Sequence, residues 1–278
     1  MKNKRILITG GAGSIGSELI KQLYKQNKIY ILDINESGIF DLIEGLDEKK
    51  FVTGRVGDIR DYKTVGDVFS DFKPQIIFNC AAYKHVPLME YTPMEAIQTN
   101  ILGHYNLIHC SKTWDFVEKF IFISSDKSVN NNSIMGVSKK MGEVITCNQG
   151  RGYIAVRFGN VLGSRGSLST IWQRQFDLGK PLTVTDSRME RYFMSIQDAV
   201  RLVIKATEIG KGGEVICLDM GKRVNILALA KRLTEEIKFG SIKINGMRDG
   251  ETLTEELMTE EETKRAFKKD EFWIIPKI

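Results

Sequence analysis

The chain has 278 residues, of which 42% are hydrophobic and 27% charged. That balance belongs to a folded chain with a full core and excludes a disordered or fibrous one. The 40 basic and 35 acidic residues leave a formal charge of +5, and the basic residues are scattered without a run. This argues against a nucleic-acid face, and most of the excess reads as solvated surface.

Cys80, Cys110, Cys147 and Cys217 lie far apart, with no CxxC pair and no neighbouring His cluster. They read as buried free thiols in a reducing compartment, and no metal site is expected. The chain opens on a strand pattern rather than a signal peptide. No apolar run reaches the ~20 residues of a membrane span. The expectation is a soluble, cytoplasmic protein.

Short apolar runs alternate with helical periods. Arg5–Thr9 is a strand, and Ser14 to Gln26 a helix with Ile15, Leu19, Ile20 and Leu23 on one face. Further strands are expected at Ile29–Asp33, Phe51–Thr53, Gln75–Cys80, Lys119–Ser124 and Tyr153–Arg157, with helices at Tyr62–Phe72, Met94–Lys112 and Met135–Cys147. Such alternation predicts an α/β fold, a doubly wound parallel sheet covered on both faces. Beyond Arg157, Gly159–Ser167 reads as a Gly/Ser-rich loop. A helix (Leu168–Leu178), strand (Leu182–Thr185), helix (Ile196–Ile209), strand (Glu214–Leu218) and helix (Ile226–Lys238) follow, and the rest is charged and irregular. The predicted division is a Rossmann domain over 1–160 and a smaller, partly interwoven α/β substrate lobe over 161–278, without repeats.

Gly10-Gly11-Ala12-Gly13-Ser14-Ile15-Gly16 joins the first strand to the first helix. Glycines there permit a tight turn and close backbone approach, and the helix N-terminus suits a pyrophosphate. Gly10, Gly13, Ser14, Ile15 and Gly16 are the candidate cradle of a dinucleotide. Asp33, at the end of the second strand, is placed to accept from adenosine ribose hydroxyls, which favours NAD. No Arg or Lys follows in Ile34–Gly38, but Arg55 and Arg60 leave NADP open. Asp58 and Ile59, after the third strand, resemble the pair bordering adenine in such enzymes.

Several further motifs stand together: Ala81-Ala82-Tyr83-Lys84-His85-Val86-Pro87, Ser124-Ser125-Asp126-Lys127, Met135-Gly136-Val137-Ser138-Lys139, Arg157-Phe158-Gly159-Asn160-Val161-Leu162-Gly163-Ser164-Arg165-Gly166-Ser167, Arg191-Tyr192-Phe193-Met194 and Arg248-Asp249-Gly250-Glu251. On these the chain resembles an extended short-chain dehydrogenase/reductase. More narrowly, it is similar to the UDP-N-acetylglucosamine 4,6-dehydratases of the capsule and flagellin-glycan branch. Many of those relatives carry an N-terminal membrane segment, and none is expected here.

The resemblance implies a catalytic set. Lys139 matches the Lys of Tyr-x-x-x-Lys and would bind nicotinamide ribose. Met135 occupies the Tyr place, where a thioether cannot carry a proton; the dehydratase branch includes members with Met there. Ser125 would hydrogen-bond the sugar C4 hydroxyl, Lys127 would be the C5 base and Asp126 the C6 acid. Ala81 and Ala82 border the cofactor. Lys84 would touch the sugar or hold the active-site loop, while His85, His104 and His109 read as packing residues. Asn160, Arg191 and Arg248 would contact the diphosphate and nucleotide, with Glu251 on the uridine ribose.

The implied reaction is NAD(P)-dependent 4,6-dehydration of UDP-N-acetylglucosamine, with C5 retained. The substrate is a UDP-N-acetylhexosamine, and self-association through sheet-flanking helices is expected. Three alternatives stand beside it: a C5-inverting dehydratase, a UDP-sugar 4-epimerase and a non-catalytic NAD(P)-sensing protein. Met135 with Asp126-Lys127 points away from an epimerase, which needs the Tyr. The retained Lys139 and arginines point away from a sensor.

Overall fold

A computed structural model describes residues 1–236 and 240–277. In chain order the elements begin with β1 (Arg5–Thr9), α1 (Ser14–Leu23), β2 (Lys28–Asp33), α2 (Glu36–Glu44), β3 (Val52–Val56), α3 (Tyr62–Phe72) and β4 (Ile76–Asn79). Next come α4 (Val86–Tyr91), α5 (Pro93–Ala96), a π-helical stretch (Ile97–Gly103), α6 (His104–Thr113), β5 (Lys119–Ile123), a single turn at Asp126–Ser128, α7 (Ile134–Cys147) and β6 (Tyr153–Arg157). They continue with β7 (Asn160–Leu162), α8 (Leu168–Asp177), β8 (Leu182–Val184), β9 (Glu190–Arg191), β10 (Phe193–Ser195), α9 (Ile196–Ile209) and β11 (Val215–Leu218). The last are β12 (Val224–Asn225), α10 (Ile226–Glu236), β13 (Ile242–Ile244), α11 (Glu260–Arg265), β14 (Phe267–Lys269) and β15 (Phe272–Ile275).

Among the described residues, nine strands form one sheet in the order β14-β15-β11-β6-β5-β4-β1-β2-β3. From β3 to β11 every neighbour is parallel, while β14 and β15 add an antiparallel edge. This is the doubly wound Rossmann arrangement, and its order reverses between β1 and β4. Side chains alternate across β1: Ile6 and Ile8 join the core under α1 and α9, and Leu7 joins the core under α3 and α6. Both faces are covered, so the central strands are apolar throughout.

Local chemistry sets the helix starts. Asn35 caps α2 by accepting from Gly38 N, and Asp61 caps α3 by accepting from Lys63 N. Ser133 caps α7 and Ser195 caps α9 in the same way, through Gly136 N and Asp198 N. α3 stops at Lys73, in the left-handed region at φ 52°.

The structure departs from the sequence expectations at several places. The Gly159–Ser167 stretch is not all loop, because β7 pairs in parallel with β10. The expected Met94–Lys112 helix is widened by one π-helical segment, whose Asn100 turns inward to bracket both backbone groups of Tyr83. The third strand begins at Val52 and runs to Val56. The helix from Ser14 tightens into a 3₁₀ turn after Leu23. The charged C-terminal stretch holds α11, β14 and β15, and β15 and β14 complete the large sheet. The 161–278 segment therefore supplies three strands and α9 to the sheet layer. α11 packs beside β15, and the other elements form a lobe with its own core of Trp172, Leu182, Val184, Met189, Ile226 and Ala230. The last turn expected for the Ile226–Lys238 helix lies outside the described residues.

Candidate active site

A cavity of about 550 Å³ opens at the carboxyl ends of the parallel strands, roofed by the small lobe. It lies at the switch between β1 and β4, where open α/β sheets bind ligands.

The glycine turn forms one wall, with Gly10, Gly13, Ser14, Ile15 and Gly16 all on the lining. Gly10 sits at φ +65°, and a Cβ there would fall 2.6 Å from Ala81 N. A Cβ on Gly16 would fall 2.3 Å from the Gly10 carbonyl oxygen. Side chains are thus excluded where the turn meets β4 and where it begins α1. No side chain caps α1 among the described residues. A bare helix N-terminus on a glycine cradle fits a dinucleotide pyrophosphate. Asp33 lies off the lining and braces the turn, its Oδ2 accepting from Ala12 N at 2.9 Å and its Oδ1 from Asn35 N. Asp58 is ion-paired to Arg60, and Ile59 is buried against Gly103. Ala82 lines the cavity, while Ala81 is the close neighbour of Gly10.

The opposite wall carries Ser125, Lys127, Met135 and Lys139. The turn after β5 leaves Ser125 and Lys127 half-buried on the cavity wall but buries Asp126, which is 1% exposed and stands behind the lining. Asp126 Oδ1 accepts from Ser125 Oγ at 2.8 Å and from Lys127 Nζ at 3.1 Å. Its Oδ2 has no hydrogen-bond partner among the described residues and rests against Gly159. Burial pushes the Lys127 pKa down, but the Asp126 and Glu255 carboxylates outweigh it, and the net shift is upward. One turn apart on α7, Met135 packs with Val86, Met89 and Ala96, and Lys139 Nζ donates to the Ile123 carbonyl. Burial pushes Lys139 down to about 8.

The remaining predicted residues gather at the lobe side. Lys84 reaches Ser164 Oγ at 3.5 Å, tethering the Gly163–Ser167 loop, and burial lowers its pKa. That loop also leans on the glycine turn, with Arg165 N donating to Ser14 Oγ. His85 packs its ring under Gly166, where a Cβ would fall 2.4 Å from Cε1. Asn160 Oδ1 lies 3.5 Å from Lys127 Nζ. The Arg191 fork is occupied by the carbonyls of Glu190, Thr252 and Leu253. Arg248 lines the cavity with its guanidinium unpaired among the described residues, and Glu251 accepts from Arg248 N. Arg55 and Arg60, candidate phosphate clamps, are instead paired with Asp67 and with Asp58 and Glu95.

Residues 6–277 match the family described as polysaccharide biosynthesis protein. The chain belongs to that family. It is 42% identical to the capsular polysaccharide biosynthesis protein CapD of Staphylococcus aureus, over 94% of this chain and 46% of CapD, so it spans less than half of that relative's length. It is 35% identical to a UDP-glucose 4-epimerase of Rickettsia akari, over 99% of this chain and 83% of the epimerase. Among solved structures, Pen from Bacillus thuringiensis superposes with a TM-score of 0.93 at 33% identity, covering 99% of this chain and 89% of Pen.

Two carboxylates of this family member escaped the sequence reading. Glu255 is 4% exposed, lines the cavity and faces both Lys127 and Arg191. Glu143 is buried beneath the site, where it accepts from Ser124 and Ser128 on either side of the Ser125–Lys127 turn and pairs with Arg157. It thereby pins that turn to α7. Among the described residues, no helix is long and apolar enough to cross a membrane.

Proposed function

We propose that this protein is an NAD-dependent 4,6-dehydratase of UDP-N-acetylglucosamine that retains C5 and yields a 4-keto-6-deoxy sugar nucleotide. One observation carries the reading. The cavity wall presents Lys127 and Ser125, both joined to a buried Asp126, where the superfamily Tyr is a buried Met135. That set supplies an acid and a base for elimination and lacks the phenol an epimerase uses.

When bound at the glycine turn, NAD supplies a hydride acceptor for C4 and a hydride donor for C6. Gly10, Gly13, Ser14, Ile15 and Gly16 would hold its pyrophosphate, Asp33 its adenosine ribose and Lys139 its nicotinamide ribose. Asp58, Ile59, Ala81 and Ala82 would border it. Ser125 receives the C4 hydroxyl proton and passes its own to Asp126. Once C4 is a ketone the C5 proton is acidified, and Lys127 removes it. Asp126, now protonated, returns its proton through Ser125 to the departing C6 hydroxyl. Lys127 then gives its proton back to C5, so the carboxyl is a base first and an acid second, and the net loss is one water. Lys84, Asn160, Arg191, Arg248 and Glu251 would position the sugar nucleotide.

The epimerase reading has the Rickettsia relative in its favour. Incubation with UDP-N-acetylglucosamine separates the two by mass spectrometry. A dehydratase gives a product one water lighter, an epimerase gives an unchanged mass, and a sensor gives no turnover.

A further inference from the structure

Lys127 stands between two carboxylates, and sequence adjacency explains one of them. Its Nζ lies 3.1 Å from Asp126 Oδ1 and 3.5 Å from Glu255 Oε1. Glu255 arrives from a distant part of the chain, just before α11. It is almost fully buried, and unlike Asp126 it lines the cavity. Its second cation, Arg191, is farther away at 3.8 Å and is anchored by three backbone carbonyls. Arg191 is therefore a fixed positive charge, and Lys127 is the partner free to exchange a proton. A carboxylate at this depth is costly unless charges answer it, and Lys127 and Arg191 are the charges that do.

The dehydratase chemistry makes a demand that Asp126 and Lys127 do not meet alone. After Asp126 has taken the C4 hydroxyl proton, Lys127 is still an ammonium. An ammonium cannot remove the C5 proton, and Asp126 is no longer available to relieve it. Neutralising Asp126 also removes one of the two charges that keep Lys127 protonated, so burial then favours the neutral amine.

We propose that Glu255 is the proton-accepting partner of Lys127, taking the Nζ proton before C5 is deprotonated and handing it back afterwards. The proposal rests on the dehydratase reading. The protons balance. At rest the cluster is Asp126 carboxylate, Lys127 ammonium and Glu255 carboxylate. The C4 hydroxyl proton goes to Asp126, and the Lys127 proton goes to Glu255. Neutral Lys127 takes the C5 proton, and the C5–C6 double bond forms as the C6 hydroxyl leaves with the proton from Asp126. Lys127 then reprotonates C5 as hydride arrives at C6. Glu255 returns its proton to Lys127, which restores the resting charges. Glu255 acts through Lys127 and is a positioning residue for its proton. The other charges facing Lys127 are Arg191 and Lys84, which both oppose its protonation.

The test uses the full chain with its cofactor, as wild type, Glu255→Gln and Glu255→Asp. C4 oxidation is read from cofactor absorbance in a single turnover, and C5 deprotonation from deuterium exchange with solvent. The Gln variant is expected to oxidise C4 at about the wild-type rate but to exchange C5–H roughly 100-fold more slowly near neutral pH. That gap should close as pH rises, because Lys127 is then neutral at rest, and the Asp variant should recover part of the loss. Without substrate, Lys127 in the Gln variant should react with acetic anhydride at lower pH than in wild type. Exchange at the wild-type rate, a deficit constant across pH, equal loss of C4 oxidation, or unchanged Lys127 reactivity would overturn the proposal. A wild-type protein that neither loses water from the substrate nor exchanges C5–H overturns the dehydratase reading itself, whatever residue stands at 255.

Discussion

Ser125 Oγ lies 2.8 Å from Asp126 Oδ1, with the hydroxyl on the cavity wall and the carboxylate buried behind it. In the proposed reaction, a proton leaving the sugar C4 hydroxyl thus reaches Asp126 through Ser125. Asp126→Asn keeps the shape and removes the acceptor charge. It is expected to slow both cofactor reduction and water loss by roughly 100-fold or more. Stopped-flow absorbance on adding UDP-N-acetylglucosamine checks this. Normal cofactor reduction followed by a stalled 4-keto sugar would make Asp126 the C6 acid alone.

Met135 is 2% exposed and packed among Val86, Met89 and Ala96. Its role in this account is to fill volume beside the reacting groups. Met135→Leu is nearly volume-conserving and should cost under about 1.5 kcal/mol of stability while keeping most of the turnover. Thermal melts and steady-state rates measure the two effects, and loss of turnover in a well-folded variant would give the thioether a chemical role.

Cofactor preference follows from the charges around β2. Asp33 is an acid braced against the glycine turn, and Arg55 and Arg60 are each committed to carboxylates. A 2′-phosphate would meet a like charge with no free guanidinium from those two residues. NAD should bind at least ~10-fold more tightly than NADP, which corresponds to about 1.4 kcal/mol. Calorimetry on the purified protein decides it, and equal or reversed affinities refute the reading.

The sheet and the glycine turn were legible because burial on both faces writes continuous apolar runs, and Gly10 and Gly16 mark places where backbone touches backbone. The C-terminal strands were not. β15 has four residues, joins the sheet antiparallel after a charged stretch, and carries no period long enough to announce itself. Helix α2 was missed for a similar reason, since Ile39 is its one buried residue. Asp126 and Lys127 were assigned through the family resemblance, on a motif that adjoins a strand end. Glu255 sits beside another acid in Thr254-Glu255-Glu256, and tertiary packing alone selects it. The nearby Arg248-Asp249-Gly250-Glu251 motif was the available signal, four residues too early.

His104 ties α6 to β4 and α7, with Nδ1 2.9 Å from Asn79 and Nε2 3.0 Å from Thr146. Burial pushes its pKa from 6.5 down to about 3, so the ring is neutral in the fold. Between those values the unfolded chain binds a proton that the folded chain does not. Stability therefore falls as pH drops through that window, by about 1.4 kcal/mol per pH unit from this one group. His104→Gln should be less stable near neutral pH yet lose less on acidification. Parallel wild-type and variant slopes of melting temperature against pH would contradict the assignment.

The internal redox step is tested most directly with UDP-N-acetylglucosamine carrying deuterium at C4. The expected product is one water lighter, with the label in the C6 methyl group, because the hydride taken from C4 returns to C6 of the same sugar. A product of unchanged mass with the label still at C4 would contradict it and identify a 4-epimerase.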